Sequence, residues 1–121
     1  MANGEIGTVG EQVRVGRARK RITLRALATK MGKTPSYLSD IENERRIPSE
    51  FVMADLAREL DLNFDDLMTA AGKFGGDADR YMRKTPEAGV LFRRMSERNV
   101  SPEVIRRLIR DTPELRDEGS K

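Results

Sequence analysis

The chain has no cysteine, no histidine and no tryptophan, and its 121 residues include only two tyrosines and four phenylalanines. Each absence removes a class of chemistry. Without thiols there can be no disulfide, no thiolate metal site and no cysteine nucleophile, which fits a reducing compartment. Without histidine the chain lacks the side chain that most often serves as a general base near neutral pH and as a metal ligand. Two tyrosines and four phenylalanines offer no clear platform for stacking unpaired bases, so RNA recognition has little support. No apolar run approaches the roughly 20 residues that a bilayer-spanning helix needs. The opening MANGEIGTVGEQ lacks the basic flank and apolar stretch of a secretion signal, so a cytoplasmic location without membrane partners is expected. Asp65 with Asp66, and Asp77 with Asp79, superficially resemble paired acid–base carboxylates. Each pair has a simpler role, as helix-start charge or exposed linker, and no enzyme activity, cofactor or metal is expected.

What the chain does have is charge, unevenly placed. The net charge is only +3, but residues 14–46 hold ten basic side chains against three acidic ones, a local +7. Residues 47–72 reverse this, with six acidic residues and Arg58 as the single base, a local −5. Such segregation suggests one face built for a polyanion; the plainer alternative is that the charges simply solvate the faces of short helices. The length allows one compact domain with a small appendage.

The apolar pattern is helical throughout. Residues 1–9 carry glycines and few anchors and read as a loose arm. A first helix is expected over 11–21, with Val13 and Gly16 turned inward. Thr23 is placed to cap a second helix whose Leu24, Leu27, Ala28 and Met31 recur at helical spacing, and Gly32 ends it by taking the left-handed conformation cheaply. A third helix starts almost at once: Thr34 caps, Pro35 suits the first helical position, and Tyr37, Leu38 and Ile41 supply inward groups. Two short helices joined by about three residues around a glycine form the helix-turn-helix pattern, with the second helix standing proud of the body. Residues 42–49 read as an exposed loop. Pro48 and Ser49 open a fourth helix with Phe51, Met53, Leu56, Ala57 and Leu60 on its inner face. Asn63 caps a fifth holding Phe64, Leu67 and Met68, with Asp65 and Asp66 favourably set against the positive end of its dipole.

The three glycines of residues 71–79 mark a boundary. Beyond it, helices are expected over 79–84, 86–98 and 101–110, too apolar for a tail and too small for a core of their own. The division expected is therefore an arm (1–9), a five-helix domain (10–71), a linker (72–79), a helical dimerisation or partner-binding segment (80–116) and a frayed end (117–121). The fold class is all-α.

The stretch from Val13 to Pro48, with TLRALATKMG at 23–32 and TPSYLSDIEN at 34–43, followed by LARELDLNFDDLM ending at Met68, resembles the phage-repressor (Cro-like) helix-turn-helix family. The resemblance covers about residues 10–71 and implies a DNA-binding regulator. It further implies that Arg17 and Glu42 form a largely buried ion pair that holds the fold, and that the third helix enters the major groove, where base pairs are distinguishable. Three departures from the family pattern stand out: Leu24 stands where glutamine is usual, Glu44 where glycine is common, and Pro35, Ser36, Ser39 and Asp40 where long amides or arginines often meet base edges.

On that reading Lys33, Thr34, Pro35, Ser36, Ser39 and Asp40 are the base-reading candidates, Lys33 and Thr34 also being in reach of the backbone. Asp40 could accept from a cytosine amino group or simply balance local arginines. Arg19, Arg25, Asn43, Arg45 and Arg46 are the phosphate-contact candidates, setting register and salt-dependent affinity. One such domain reads few base pairs, so a two-fold dimer on a pseudopalindrome, acting as a repressor, is expected. Phe92, Met95, Val104, Leu108 and Ile109 are candidates for the dimer interface, or for packing within their own chain. A toxin or a regulatory protease is a possible protein partner. The competing reading is an interaction module, an antitoxin or adaptor, with DNA contact secondary.

Overall fold

A computed structural model describes residues 6–117. The first five residues of the expected arm and the last four of the expected frayed end lie outside the described residues. Among the described residues eight α-helices follow one another: α1 (Val9–Lys20), α2 (Leu24–Met31), α3 (Pro35–Glu42), α4 (Glu50–Leu60), α5 (Phe64–Ala70), α6 (Gly75–Lys84), α7 (Pro86–Glu97) and α8 (Pro102–Asp111), then a 3-10 turn at Pro113–Leu115. The fold is all-α.

Side-chain capping decides where most of them start. Thr8, Thr23, Thr34, Ser49, Asn63 and Ser101 each accept a hydrogen bond from the backbone N–H three residues on. Each thereby satisfies a donor that the first helical turn leaves free. Thr8 also forms a reciprocal capping box, its own N–H donating to the Glu11 carboxylate at 3.2 Å. The Thr8 bonds hold the Glu11 carboxyl below its ordinary value. This cap starts α1 two residues earlier than the apolar pattern suggests. Val9, read as part of a loose arm, is buried in the core.

The chain divides into two compact units, Met1–Phe74 and Gly75–Lys121. In the first, α1 packs on α3, α4 and α5, α2 packs on α3, and α4 on α5. Val9, Val13, Leu27, Ala28, Leu38, Ile41, Val52, Met53, Leu56, Leu60 and Leu67 form one buried cluster. Gly16 lies against Leu60 and Leu62, where an added Cβ would come within 3.0–3.1 Å of their side chains. Gln12, unremarked in the sequence, is buried and donates to the carbonyls of Gly7 (2.9 Å) and Asp66 (3.2 Å), joining the segment before α1, α1 itself and α5.

Several expectations need correction. Phe51, assigned to the inner face of α4, is 85% exposed, and Val52 is buried in its place. The helix phase explains this: Val52, Met53, Leu56 and Leu60 share one stripe, while Phe51 lies on the side of Asp55 and Arg58. Phe64 is also exposed. The 42–49 segment is not wholly an exposed loop, since Glu42 closes α3 and is buried and Pro48 is fully enclosed. The stretch read as a linker, 72–79, carries the start of α6 at Gly75.

The second unit is built differently. Its helices α6, α7 and α8 contain no buried residue. α6 and α7 adjoin, and the 3-10 turn folds against α8. Leu91, Phe92, Val104, Leu108 and Ile109 are all exposed.

Candidate nucleic-acid interface

α2, a tight turn and α3 make the corner on which the site depends. Gly32 ends α2 in the left-handed region (φ 66°), with its N–H bonded to Thr29 and that of Lys33 bonded to Ala28. Thr34 and Pro35 restart the helix at once. Leu38 and Ile41 plug α3 into the core, which turns the opposite face outward. On that face Ser36 and Asn43 are exposed, while Ser39, Asp40 and Pro35 are partly exposed; none is covered by the core. Leu24, where the family usually has glutamine, packs against the core cluster and offers no polar group to a phosphate.

The rear of α3 is anchored by charge. Arg17 meets Glu42 in a two-point contact, Nε to Oε2 at 2.6 Å and a terminal nitrogen to Oε1 at 3.1 Å. Glu42 is only 7% exposed. Arg14 approaches the same carboxylate at 3.6 Å and donates to the Glu42 carbonyl at 2.9 Å. The hydrogen bonds that Arg17 donates to Glu42, more than the charge of that carboxylate, raise the Arg17 pKa, so the guanidinium stays protonated. Both arginines come from α1, so the first helix clamps the end of the third.

The exit from α3 is a Schellman turn. The Glu44 N–H bonds to the Ile41 carbonyl (3.2 Å) and the Arg45 N–H to the Asp40 carbonyl (2.8 Å). Glu44 takes the left-handed conformation (φ 61°) that glycine usually fills here. Its side chain explains the exception. The Glu44 carboxylate accepts from the Thr8 hydroxyl at 2.6 Å and from the Gly10 N–H at 2.9 Å, placing a negative group at the start of α1. Gly10 makes room for this, because a Cβ there would lie 2.3 Å from that carboxylate and 2.5 Å from the Glu42 carbonyl.

The candidate contact residues separate into groups. Lys33 and Arg46 both lie over the Tyr37 ring, at 5.4 and 5.1 Å from its centre. Tyr37 was read only as an inward group. It does pack against the core cluster, and its partly exposed ring also gathers two cations from opposite ends of α3, which only the fold could reveal. Arg45 is paired with Asp40, and the Asn43 amide donates to the Ser39 carbonyl (2.8 Å) and hydroxyl (3.2 Å). Thr34 is engaged as a cap. Arg25 is exposed on the first turn of α2.

Arg19 is engaged at the end of α4: one terminal nitrogen of its exposed guanidinium donates to the Leu60 and Asp61 carbonyls at 3.2 and 3.4 Å. The free carbonyls at the end of a helix attract a cation, so Arg19 helps close α4. Lys20 likewise pairs with Asp61 at 2.5 Å, and that hydrogen bond, with the charge behind it, lowers the Asp61 pKa. Among the described residues no cluster of carboxylates could hold a metal ion, and no helix is long and apolar enough to cross a membrane.

A capped helix pair at a glycine corner, with its second helix turned outward and cations at both ends, defines the class: residues 13–67 hold a helix-turn-helix, and the Helix-turn-helix family model matches that stretch. The match supports a DNA-binding regulator. Among curated proteins the chain is similar to Multiprotein-bridging factor 1 of Candida albicans, 36% identical over 53 residues. That alignment covers 44% of this chain and 35% of the relative, so the shared part is about a third of that protein. No solved structure matches the chain.

Proposed function

We propose that the protein is a sequence-specific regulator of transcription that reads double-stranded DNA with α3 and acts as a dimeric repressor on a pseudopalindromic operator. The observation that carries this reading is the outward face of α3. Ser36, Ser39 and Asp40 stand clear of the core, while Lys33 and Arg46 flank them on the Tyr37 ring. A helix so presented fits the major groove, with Ser36 and Ser39 at base edges and the flanking cations on phosphate. Arg25, at the start of α2, extends the positive border. Arg17 and Glu42 hold α3 at its angle and touch no DNA.

One domain covers too few base pairs for selectivity, and a two-fold pair reading half-sites one helical turn apart supplies the rest. Phe92, Met95, Val104, Leu108 and Ile109 are the proposed self-contact, and the absence of any buried residue in α6–α8 supports giving them a partner. The protein works in the cytoplasm without cofactor or catalytic step.

Selection of bound fragments from random duplex DNA tests this reading. The expected outcome is a pseudopalindrome with half-sites about one turn apart. Substituting Ser36 is expected to change the preferred bases without loss of fold. Replacing Arg46 and Lys33 together is expected to lower binding to all sequences and flatten its salt dependence. Recovery of no common sequence, with binding no stronger than that of an equally charged unrelated protein, rules the proposal out.

A second reading is favoured by the same bare helices and by a relative whose name describes a bridge between proteins. Here the second unit docks an unlike protein, such as a toxin or regulatory protease, and the chain serves as an adaptor. A sedimentation experiment separates the two: self-association that Leu108→Asp abolishes supports the dimer, and a monomer at all concentrations supports the adaptor.

A further inference from the structure

Arg45 follows α3, where a phosphate contact would be the simple expectation, yet two bonds return it to the reading face. Its backbone N–H donates to the Asp40 carbonyl at 2.8 Å, closing the Schellman turn. Its side-chain Nε donates to Asp40 Oδ1 at 3.1 Å. Asp40 is the sixth residue of α3, on the stripe shared with Ser36 and Asn43. The pair is at the surface, with the arginine side chain 62% exposed and the aspartate 35%. A bare carboxylate in this place would be repelled by the phosphates lining a groove. With Arg45 seated on it, the pair is neutral and its more exposed member is the cation.

The guanidinium has five N–H donors in a fixed fork. Asp40 occupies Nε, which leaves the donors of the two terminal nitrogens for a second planar acceptor. Guanine presents such an acceptor in the major groove, with O6 and N7 side by side. The geometry points to Arg45 as a guanine-reading residue, with Asp40 as the positioning residue that aims it. This rests on the DNA-reading function proposed above and changes the roles of two residues within it: Asp40 reads no base itself, and Arg45 does more than hold the backbone. Arg46, one position on, lies over the Tyr37 ring and keeps the phosphate role.

The test uses the full chain and the duplex recovered by selection, with each base pair replaced in turn and affinity read by fluorescence anisotropy. Arg45→Lys keeps the charge and removes the fork. Asp40→Asn keeps an acceptor oxygen and removes the charge. In the unaltered protein, replacing one guanine per half-site is expected to weaken binding about tenfold to a hundredfold. Arg45→Lys is expected to abolish that preference while the salt dependence on random duplex is retained. Asp40→Asn is expected to weaken the same preference and no other, with both variants melting as the parent does.

Two results overturn the inference alone: an Arg45→Lys protein with every base preference intact, or an Asp40→Asn protein that binds more tightly with its preferences unchanged. If the unaltered protein selects no sequence at all, the DNA-reading function itself fails and the inference falls with it.

Discussion

The two units of this chain, Met1–Phe74 and Gly75–Lys121, use the same kind of part in different ways. Both consist of short helices with apolar residues at helical spacing, and both use proline or a hydroxyl residue at helix starts. In the first unit eleven hydrophobic residues are buried in one cluster; in the second, α6–α8 bury none. The contrast is sharpest between two helices. α1 separates apolar from polar residues poorly, yet buries Val9, Val13, Gln12 and two glycines. α8 separates them far more cleanly than α1 and buries nothing. Amphipathicity supplies a face to bury, but a core also needs neighbours at the right distance and angle. α1 obtains them through Gly10 and Gly16, which permit close approach, and through Gln12, Arg14 and Arg17, which bond to α5 and α3.

The comparison can be broken most directly by one pair of truncations. Leu56→Ala is expected to destabilise the first unit by about 2–5 kcal/mol, the usual loss for emptying a packed core site. Leu108→Ala, at low protein concentration, is expected to stay within about 0.5 kcal/mol. Urea denaturation followed by circular dichroism measures both, and equal losses would mean that α8 has a hidden core. Gly10→Ala tests close approach: the added methyl meets the Glu44 carboxylate and two backbone carbonyls, and an overpacking loss of about 1–3 kcal/mol is expected in the same assay.

A finer distinction lies at Glu44. Replacement by alanine keeps the left-handed backbone cost and loses both bonds to α1, whereas glycine loses the bonds but relieves the backbone. Glu44→Ala is therefore expected to cost about 1 kcal/mol more than Glu44→Gly, and equal melting temperatures would contradict that account. The smallest expected effect is acid sensitivity. The Glu11 carboxyl, held down by its bonds from Thr8, and that of Asp61, held down by Lys20, both have folded values below their ordinary 4.5 and 3.8. Their stabilisation is present above those values and is lost as pH falls through the folded ones. Glu11→Gln is expected to flatten the acid limb of a pH–stability curve slightly, and added salt to do the same for the exposed Lys20–Asp61 pair.

Much of the first unit was legible because its signals are local. Thr23, Gly32, Thr34, Pro35, Ser49 and Asn63 act on the few residues beside them, and each was found in the role its chemistry suggests. Ser36 faces outward because Leu38 and Ile41, its near neighbours on the helix, face inward. The residues misread or read only in part depend on distant ones. Phe51 and Val52 are adjacent apolar residues, and which of them is buried depends on where α1 and α5 lie. Arg19 reads as one more cation until the end of α4 arrives beside it. The Tyr37 ring collects Lys33 and Arg46 only once the turns at both ends of α3 are formed.

The order of residues alone determined the two short helices, the corner between them and the outward stripe of the second, since these follow from caps, a left-handed glycine and a 3.6-residue period. Only the tertiary structure decided which charges face outward and which are engaged internally. Glu44 bonds to α1 from 34 residues away and Arg17 reaches Glu42 across 25, whereas Arg45 turns back on Asp40. A charged side chain is long and can choose among several partners. That choice is settled by which helix ends the packed core brings within reach.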